Sequence, residues 1–383
     1  MKKRITRREF IKKSSIALLG MGIAGFVISN MLTLPSSPPK EKSLSLWKWS
    51  KEAYHYIRLG NNVQCLLCPN QCILEHGERG RCRVRINNNG KLYTLVYGNP
   101  TAVHVDPIEK KPLFHFLPST KAFSIATAGC NFRCLNCQNW QISQFPPEKT
   151  ENYDMMPKVV VNNAITESCS SIAYTYNEPS VFYEYMYDTA KLAKEHKLRN
   201  LWITNGYMNE KPLRELCKYL DAANVDLKSF SEKIYNELNA GRLEPVLNTL
   251  KVLKSEGVWF EITNLVVPTY TDDIDMIRDM VEWIAKNLGK DYPLHFSRFF
   301  PHYKLTHLPP TPIDFLEQAR KIAMDAGLKF VYIGNVPNHK AQNTYCPRCG
   351  RLLVERRGYY VASMNIENNA CKFCGEHIAG VWS

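Results

Sequence analysis

Seven short apolar runs alternate with amphipathic segments between residues 121 and 336. Two of the amphipathic segments span residues 181–196 and 273–288. Strands separated by helices of about 10–15 residues are typical of βαβ units, which build a parallel sheet. The pattern therefore predicts an α/β fold with a partial (β/α)6–7 TIM-like barrel, and a doubly wound open sheet is the alternative. The predicted strands are 122–128, 171–176, 200–204, 224–227, 259–267, 294–299 and 329–333.

The positive charge of the chain is concentrated at its amino terminus. The 383 residues carry a formal net charge of +13, and residues 1–34 account for +6 of it through seven Lys or Arg and one Glu. No basic stripe with interleaved aromatic residues follows in the rest of the sequence. Nucleic acid is therefore not an expected partner.

The first 34 residues have the pattern of a targeting segment. The stretch TRREFIK at residues 6–12 precedes a mostly apolar run at 16–34 and resembles a twin-arginine export signal. An ordinary signal peptide is the alternative, and an uncleaved run would be long enough to anchor the chain in a membrane. We expect export or membrane anchoring, and a cytoplasmic location if the signal is inactive. The prolines after residue 34 predict a linker.

Three cysteines lie close together in the stretch AGCNFRCLNCQNW at residues 128–140, just after the first predicted strand. Cys130, Cys134 and Cys137 have the spacing C-x3-C-x2-C. A four-iron cluster usually takes one thiolate per iron, so three cysteines would leave one iron open to a small molecule. Chance proximity or disulfides are the alternative, and spacing alone does not decide between them.

This loop resembles the cluster loop of the radical S-adenosylmethionine (SAM) superfamily. Further segments make the resemblance specific to the radical SAM enzymes of the AmmeMemoRadiSam system, which are related to pyruvate formate-lyase activating enzymes. The match covers roughly residues 60–383. It implies a partial barrel, a [4Fe–4S] cluster, SAM as cosubstrate, and association with a Memo-like protein and an AMMECR-type domain. The segments are CLLCPNQC (65–72), DPIEKKPL (106–113), YNEP (176–179) and AGVW (379–382).

Polar residues stand at the ends of predicted strands, where a parallel barrel collects its chemistry. Asn177 and Glu178 match the family segment that holds the amino group of SAM, although the two residues could simply cap a helix. Asn205 ends the next strand. Asp226 and Lys228 share one strand face. The resemblance implies that they hold the ribose hydroxyls and carboxylate of SAM; a structural salt bridge is the alternative. Weaker candidates for a substrate pocket are Glu261, Asn264, His295, Arg298 and His302.

Two further cysteine sets predict small metal modules on either side of the barrel. Cys346, Cys349, Cys371 and Cys374 form two C-x2-C pairs, the pattern of a zinc ribbon, with rubredoxin-like iron or disulfides as alternatives. The set Cys65, Cys68, Cys72 and Cys82 could hold zinc or a second iron–sulfur cluster, and the sequence does not choose. Cys169 and Cys217 are expected to be buried small hydrophobic residues.

The predicted function is that of a radical SAM enzyme. It would cleave SAM reductively and generate a 5′-deoxyadenosyl radical that abstracts hydrogen from an unknown substrate, with a protein among the candidates. A flavodoxin or ferredoxin is the expected reductant. The alternatives are a glycyl-radical activating enzyme and an exported metal-binding or electron-transfer protein without SAM chemistry. The predicted segments are a signal or anchor (1–34), a linker (35–59), an N-terminal Cys-rich module (60–118), the barrel (119–338) and a C-terminal module (339–383).

Overall fold

The computed structural model of the protein describes residues 47–383. The predicted export signal, its apolar run at 16–34 and residues 35–46 of the predicted linker lie outside the described residues. None of the helices in residues 47–383 combines the length and the apolar character needed to cross a bilayer.

Eight strands form the central sheet, in the order β14-β13-β12-β11-β10-β9-β8-β7. Strands β8 to β14 are all parallel to their neighbours, and β7 pairs antiparallel with β8 at one edge. The strands are β7 (Ala102–Pro107), β8 (Lys121–Ala126), β9 (Ser171–Tyr174), β10 (Arg199–Thr204), β11 (Ala222–Asp226), β12 (Trp259–Val266), β13 (Leu294–Arg298) and β14 (Val331–Gly334).

The parallel strands follow chain order from one edge of the sheet to the other, and a helix lies in each connection between them. All seven strands predicted from the sequence are present, so the predicted α/β class and parallel sheet are confirmed. A doubly wound sheet would reverse its order at a switch point, so that alternative is wrong. Among residues 47–383, no pairing joins β14 to β7, and the sheet stays open there. The connecting helices are α2 (Pro157–Thr166), α3 (Tyr183–Glu195), α4 (Glu210–Cys217), α6 (Leu243–Ser255), α7 (Ile274–Asn287) and α8 (Ile313–Asp325), and shorter helices are α1 (Trp140–Ser143) and α5 (Glu232–Ile234).

The two faces of the sheet are covered differently. Residues such as Phe123 and Ile172 pack with the helices in the main hydrophobic core. Their alternating neighbours, Ala122 and Ala173, lie in a separate cluster with apolar side chains of the 108–117 segment. The small alanine side chains leave room for that segment. A loop, rather than a helix, therefore fills this part of the face.

Small antiparallel sheets precede the central one. The predicted tight turn at Asn89 and Gly90 is confirmed: both residues have positive φ, and Asn88 pairs with Lys91 across it. Strand β7 belongs to the central sheet although the predicted boundary at 118 placed it in the N-terminal module; the boundaries themselves stay predictions. The strands of the two small sheets are β1 (Lys51–Glu52), β2 (Tyr56–Leu59), β3 (Asn62–Cys65), β4 (Ile73–Leu74), β5 (Arg85–Asn88) and β6 (Lys91–Thr94).

The C-terminal segment forms its own small sheets and a hydrophobic cluster that includes Tyr332 of the central sheet. The last residues return to the 108–117 segment, where Leu117 N–H donates to the carbonyl of Val381 (2.6 Å) and Val381 N–H to that of His115 (2.7 Å). The AGVW segment thus pairs with the residues that directly follow the DPIEKKPL segment. The strands of the C-terminal segment are β15 (Thr344–Tyr345), β16 (Leu352–Arg357), β17 (Tyr360–Met364), β18 (Ile366–Glu367) and β19 (Ala370–Cys371).

Candidate active site

The three-cysteine loop begins directly after β8, at the carboxyl end of the first parallel strand. Gly129 precedes the first thiol and has φ +89°. A Cβ atom at this position would lie 2.5 Å from the carbonyl oxygen of Cys82 and 2.6 Å from a methyl group of Val84. Only glycine fits here, because the loop presses against the segment that carries the N-terminal cysteines.

A single-turn π-helix at Tyr235–Asn239 holds the loop from the other side. Arg133 N–H donates to the carbonyl of Asn239, and Leu135 N–H donates to that of Leu238, both at 2.9 Å. π-helical turns are often found at functional sites because they redirect backbone groups. Here the turn supplies two carbonyls that fix the middle of the cysteine loop.

Each thiol has a different environment. Cys130 is buried, whereas Cys134 and Cys137 are partly exposed. The side-chain amide of Asn239 donates to Cys134 Sγ (3.2 Å), and Ser143 Oγ lies 3.1 Å from Cys137 Sγ. Hydrogen bonds to sulfur adjust the reduction potential of a cluster, so these two side chains are tuning residues for any cluster bound here.

The three thiols do not form a group that could hold a single ion. Across the described residues, the only such group is that of the C-terminal cysteines, whose sulfurs all lie within 4.8 Å of one another. Burial raises the pKa of Cys130 well above its ordinary value, and it raises that of Cys134 to about 11 against the opposing charge of Lys228. Iron binds the thiolate, so cluster assembly must displace these protons.

Three buried amide oxygens around the loop have no hydrogen-bond partner among the described residues: the Oδ1 atoms of Asn136, Asn177 and Asn239. The amide nitrogen of Asn177 donates to the carbonyl of Gly129 (2.8 Å), which places this predicted residue against the cluster loop. Buried polar atoms are nearly always paired. Unpaired acceptors beside the thiols fit a ligand that carries N–H donors, as the amino group of SAM does.

Glu178 has the role of a helix cap. Its Oε1 accepts from Ser180 N–H (2.9 Å), Ser180 Oγ (2.6 Å) and Thr204 Oγ (2.8 Å), and its Oε2 accepts from Asn205 N–H (2.7 Å). The carboxylate is buried, and burial raises its pKa although these donors oppose the shift. The contacts of Glu178 are therefore those of a helix cap, which was the alternative interpretation of Asn177 and Glu178. A contact of Glu178 with SAM stays a prediction.

Asn205 joins the strand ends to the cluster loop. Its side-chain amide donates to Asn131 Oδ1 (2.8 Å) and lies 4.0 Å from Cys130 Sγ, while its Oδ1 accepts from Tyr207 N–H (2.9 Å). Both ends of the amide are used inside the protein. The predicted residue is thus at the site, with contacts that position the loop.

Asp226 and Lys228 form an ion pair at the end of β11, with Lys228 Nζ 2.7 Å from Asp226 Oδ2. Their side chains are 41% and 21% exposed, so both reach solvent. Burial would lower the pKa of Lys228, but the charges of Asp226 and Cys134 raise it above its ordinary value. A permanent positive charge therefore stands beside the second thiol of the loop. The salt bridge, which was the alternative interpretation of Asp226 and Lys228, is present, and a ligand can reach both side chains from solvent.

A buried cluster behind the strand ends was not predicted. Lys111 Nζ lies 2.5 Å from Asp106 Oδ2, and the Tyr176 hydroxyl donates to the same oxygen. Lys111 is only 2% exposed and its Nζ is 4.5 Å from the centre of the Tyr176 ring. Asp106 and Lys111 belong to the DPIEKKPL segment, which the sequence singled out only as a family match. The opposite charges of Asp106 and Lys111 were the sequence signal that could have identified this cluster.

The weaker substrate-pocket candidates are dispersed. Glu261 and His295 are fully buried, 2.6 Å apart, and Glu261 also accepts from His115 N–H (2.7 Å), so the pair anchors the 108–117 segment. The amide of Asn264 donates to the carbonyl of Leu227 (2.8 Å). Of the remaining candidates, Arg298 donates to the carbonyl of Thr311 (2.8 Å) and His302 is exposed.

The C-terminal cysteines converge on one point. Cys346 and Cys374 have sulfurs 3.6 Å apart, and those of Cys349 and Cys371 are 3.8 Å apart. Tetrahedral zinc with Zn–S bonds of about 2.3 Å needs sulfurs about 3.8 Å apart. The four thiols therefore fit one tetrahedral ion. The N-terminal set is arranged differently: Cys65, Cys68, Cys72 and Cys82 line a cavity between them.

Comparisons with known proteins relate this chain to one superfamily. The model of the radical SAM superfamily matches residues 124–284, which include the cysteine loop and the strand ends from β8 to β12. An uncharacterized protein of Methanocaldococcus jannaschii is 50% identical over 331 residues, which cover 86% of this chain and 98% of that protein. The pyruvate formate-lyase 1-activating enzyme of Escherichia coli K12 is 24% identical over 220 residues, 53% of this chain and 89% of the enzyme.

Among solved structures, a radical SAM methyltransferase from Sphaerobacter thermophilus aligns with a TM-score of 0.45 at 12% identity. The alignment covers 62% of this chain and 71% of that one. The half-identical relative spans almost its full length, and the family model covers the three-cysteine loop together with the strand ends around it. The chain belongs to the radical SAM superfamily.

Proposed function

We propose that this protein binds a [4Fe–4S] cluster through Cys130, Cys134 and Cys137 and uses it to cleave SAM reductively, which starts hydrogen abstraction from a further substrate. One observation carries the proposal. The three thiols lie in one loop at the carboxyl end of the first parallel strand, and among the described residues they do not form a group that could hold a single ion. In a member of this superfamily, such a loop has the composition and the place of a cluster site.

When bound, the cluster and SAM supply a one-electron cleavage that yields methionine and a 5′-deoxyadenosyl radical. The protein's own residues hold and orient the two groups. Cys130, Cys134 and Cys137 would hold three irons of the cluster and leave the fourth open to SAM. The unpaired Oδ1 atoms of Asn136, Asn177 and Asn239 would accept hydrogen bonds from the amino group of SAM.

The ion pair at the end of β11 supplies the charges that a zwitterionic ligand needs. The ammonium of Lys228 can bind a carboxylate, and the carboxylate of Asp226 can accept from ribose hydroxyls. Both side chains are partly exposed, so a ligand reaches them without breaking a buried contact. In this assignment Glu178 and Asn205 are positioning residues, since their polar atoms are bonded within the protein.

The finer family assignment belongs to the same proposal. The order of the five sequence segments supports a radical SAM enzyme of the AmmeMemoRadiSam system with a partial barrel, and a Memo-like protein and an AMMECR-type domain as partners. A glycyl-radical activating enzyme is the second candidate, and the Escherichia coli relative favours it. The extra cysteines precede the cluster loop rather than follow it, which favours the first assignment.

We extend the proposal to the C-terminal module and to location. The sulfur separations of 3.6 and 3.8 Å support structural zinc at Cys346, Cys349, Cys371 and Cys374. Export by a twin-arginine route, or anchoring through residues 16–34, rests on the sequence of the first 34 residues alone.

The test is SAM cleavage by the full chain. The protein is reconstituted with iron and sulfide without oxygen, reduced with dithionite and supplied with SAM, and 5′-deoxyadenosine and methionine are measured by chromatography. We expect both products in equal amounts. If the protein with a full complement of iron and sulfide forms neither product, the proposed SAM-cleaving activity is rejected.

Two variants test the site itself. Cys134→Ala should abolish 5′-deoxyadenosine formation. Cys169→Ala removes a buried thiol that lies outside all the cysteine sets, and it should leave the yield unchanged. A Cys134→Ala protein that still forms 5′-deoxyadenosine would reject the ligand assignment and leave the reaction class intact.

A further inference from the structure

The four N-terminal cysteines surround one cavity that none of the site's chemistry uses. Cys65 ends β3, and its N–H donates to the carbonyl of Cys72 (2.9 Å), which brings two of the thiols to the same place. Cys68 lies in the turn between them. Cys82 arrives from the loop before β5, where Arg83 N–H donates to the carbonyl of Gly80 (2.8 Å). Two separate turns thus build a single thiol-lined site.

The spacing of these thiols distinguishes them from the C-terminal set. A single zinc ion draws its four sulfurs to about 3.8 Å from one another. Among residues 47–383, the C-terminal cysteines are the only group of three or more potential ligands that could hold one metal ion, with all four sulfurs within 4.8 Å of one another; the N-terminal cysteines do not form such a group. A four-iron cluster binds each thiolate on a different iron, which holds the sulfurs further apart.

The cavity has room for about one water, since its volume is about 20 Å³ and one water needs roughly 10–15 Å³. Four thiols drawn to one mononuclear metal leave almost no space at their centre. The space lined by these four cysteines is therefore larger than a mononuclear site leaves.

Arg85 gives an independent indication of a ligand. Its side chain lines the cavity and is only 2% exposed. One terminal nitrogen, Nη2, donates to both carboxylate oxygens of Glu184 (2.7 and 2.6 Å), but Nε and Nη1 have no acceptor. Buried guanidinium donors without partners are rare. Acceptor atoms inside the cavity would pair them, and cluster sulfurs are acceptors of this kind.

We propose that Cys65, Cys68, Cys72 and Cys82 bind a second [4Fe–4S] cluster, with four protein ligands and no open iron. The free N–H groups of Arg85 donate to its sulfurs, and Glu184 holds the guanidinium in place. Because every iron has a thiolate, this cluster does not bind SAM.

The second site shares a wall with the first. Asn131 lines its cavity and is adjacent in sequence to Cys130. The side-chain amide of Asn70, which also lines the cavity, donates to the carbonyl of Asn131 (3.0 Å). The carbonyl of Cys82 is the group that excludes a Cβ atom at position 129. One layer of residues therefore separates the two clusters, and their unpaired electrons should interact when both are reduced.

Metal content tests this assignment without any reference to SAM cleavage. In the full chain, a triple variant with Cys130, Cys134 and Cys137 changed to Ala lacks the ligands of the first cluster. After anaerobic reconstitution it should still hold about four irons and four sulfides per chain. Dithionite should then produce the paramagnetic resonance signal of a reduced cluster. No iron, or two zinc ions per chain instead of one, would overturn the proposal.

The unaltered chain gives a second measurement in case the triple variant does not fold. It should hold about eight irons, and reduction should give a resonance spectrum broadened by interaction between two clusters. About four irons with an unbroadened signal, both lost in the Cys134→Ala variant, would overturn the proposal. As a matched control, Cys349→Ala in the C-terminal set should lower zinc and leave iron unchanged.

The Arg85→Lys variant of the triple mutant tests the hydrogen bonds to the cluster. It keeps the positive charge beside Glu184 but removes the planar donors. We expect a shifted reduction potential with iron content retained. An unshifted potential would refute the role of Arg85.

Discussion

Replacing Glu178 with Gln separates the two roles considered for this residue. The carboxylate accepts four hydrogen bonds inside the protein, three on Oε1 and one on Oε2. The glutamine keeps the shape and one oxygen, but its amide nitrogen faces the N–H group of Asn205. The charge that strengthened the bonds from Ser180 and Thr204 is also lost.

The magnitude follows from those contacts. A hydrogen bond to a charged group contributes about 1.5–3 kcal/mol, and a buried donor left unpaired costs about 1–3 kcal/mol. The lost bond from Asn205 is one such bond, and the remaining three are weakened rather than broken. We therefore expect the Glu178→Gln variant to lose about 2–4 kcal/mol in its free energy of unfolding. SAM affinity should change by less than about tenfold, or 1.4 kcal/mol.

The assay is urea unfolding of the reconstituted protein without oxygen, followed by equilibrium dialysis with labelled SAM. Asp226→Asn is the matched control, because its side chain is 41% exposed and is assigned to the ligand. It should show the opposite pattern, with nearly unchanged stability and SAM affinity lowered at least tenfold. A Glu178→Gln variant with unchanged stability and a tenfold loss of SAM affinity would refute the capping argument and make Glu178 a ligand.

Three other predictions concern the contacts around the site. The Gly129→Ala variant should have lower stability and less iron bound per chain. Position 129 has φ +89°, and a Cβ atom there would lie 2.5 Å from the Cys82 carbonyl oxygen. Normal iron content in the variant would contradict the argument that only glycine fits at this position. The Asp106→Asn variant should lose about 3–5 kcal/mol in its free energy of unfolding, because buried Lys111 is left unpaired. A second change, Lys111→Met, should restore most of that loss. If the effects of the two substitutions on stability simply add, the pairing of Asp106 with Lys111 is contradicted. Because burial lowers the pKa of Lys111 to about 8, the native protein loses this proton before the unfolded chain does. The free energy of unfolding should therefore rise between about pH 8 and 10, and urea titrations of Lys111→Met should lack that rise.

The central sheet could be predicted because its signal is local. Each strand from β8 to β14 is a short apolar run followed by an amphipathic segment, and both periodicities are visible within about 15 residues. The Asn89–Gly90 turn is predictable for the same reason, since two neighbouring residues with positive φ suffice to form it. The strand-end positions of Asn205, Asp226 and Lys228 follow from the sheet.

The contacts within the site depend on residues far apart in sequence. Asn239 reaches Cys134 across 105 positions, and Tyr176 reaches Asp106 across 70. No local pattern encodes such a pair. Two of the four donors to the Glu178 carboxylate belong to nearby Ser180, but the other two, from Thr204 and Asn205, come from the next strand end, which the strand pattern does not pair with Glu178.

Cysteine spacing shows where a motif stops being informative. Cys65 and Cys68 have the same C-x2-C spacing as Cys346 and Cys349. In the C-terminal set, sulfurs of the two pairs lie 3.6 and 3.8 Å apart, whereas the N-terminal cysteines line a cavity. Spacing along the chain fixes which cysteines can reach one metal site. The packing around them decides how many metal atoms the site can hold.

The cluster loop and the N-terminal cysteine segment behave as one structural unit. The loop is pressed so closely on the carbonyl of Cys82 that only glycine fits at position 129, and Asn131 belongs to the walls of both sites. A loop shaped by its neighbour can hold three irons in a fixed geometry only if that neighbour is itself rigid. Four thiols around a cavity, with two of the three Arg85 guanidinium nitrogens unpaired, do not supply such rigidity by themselves. A metal cluster bound by all four would, and the second site would then stabilise the shape of the first.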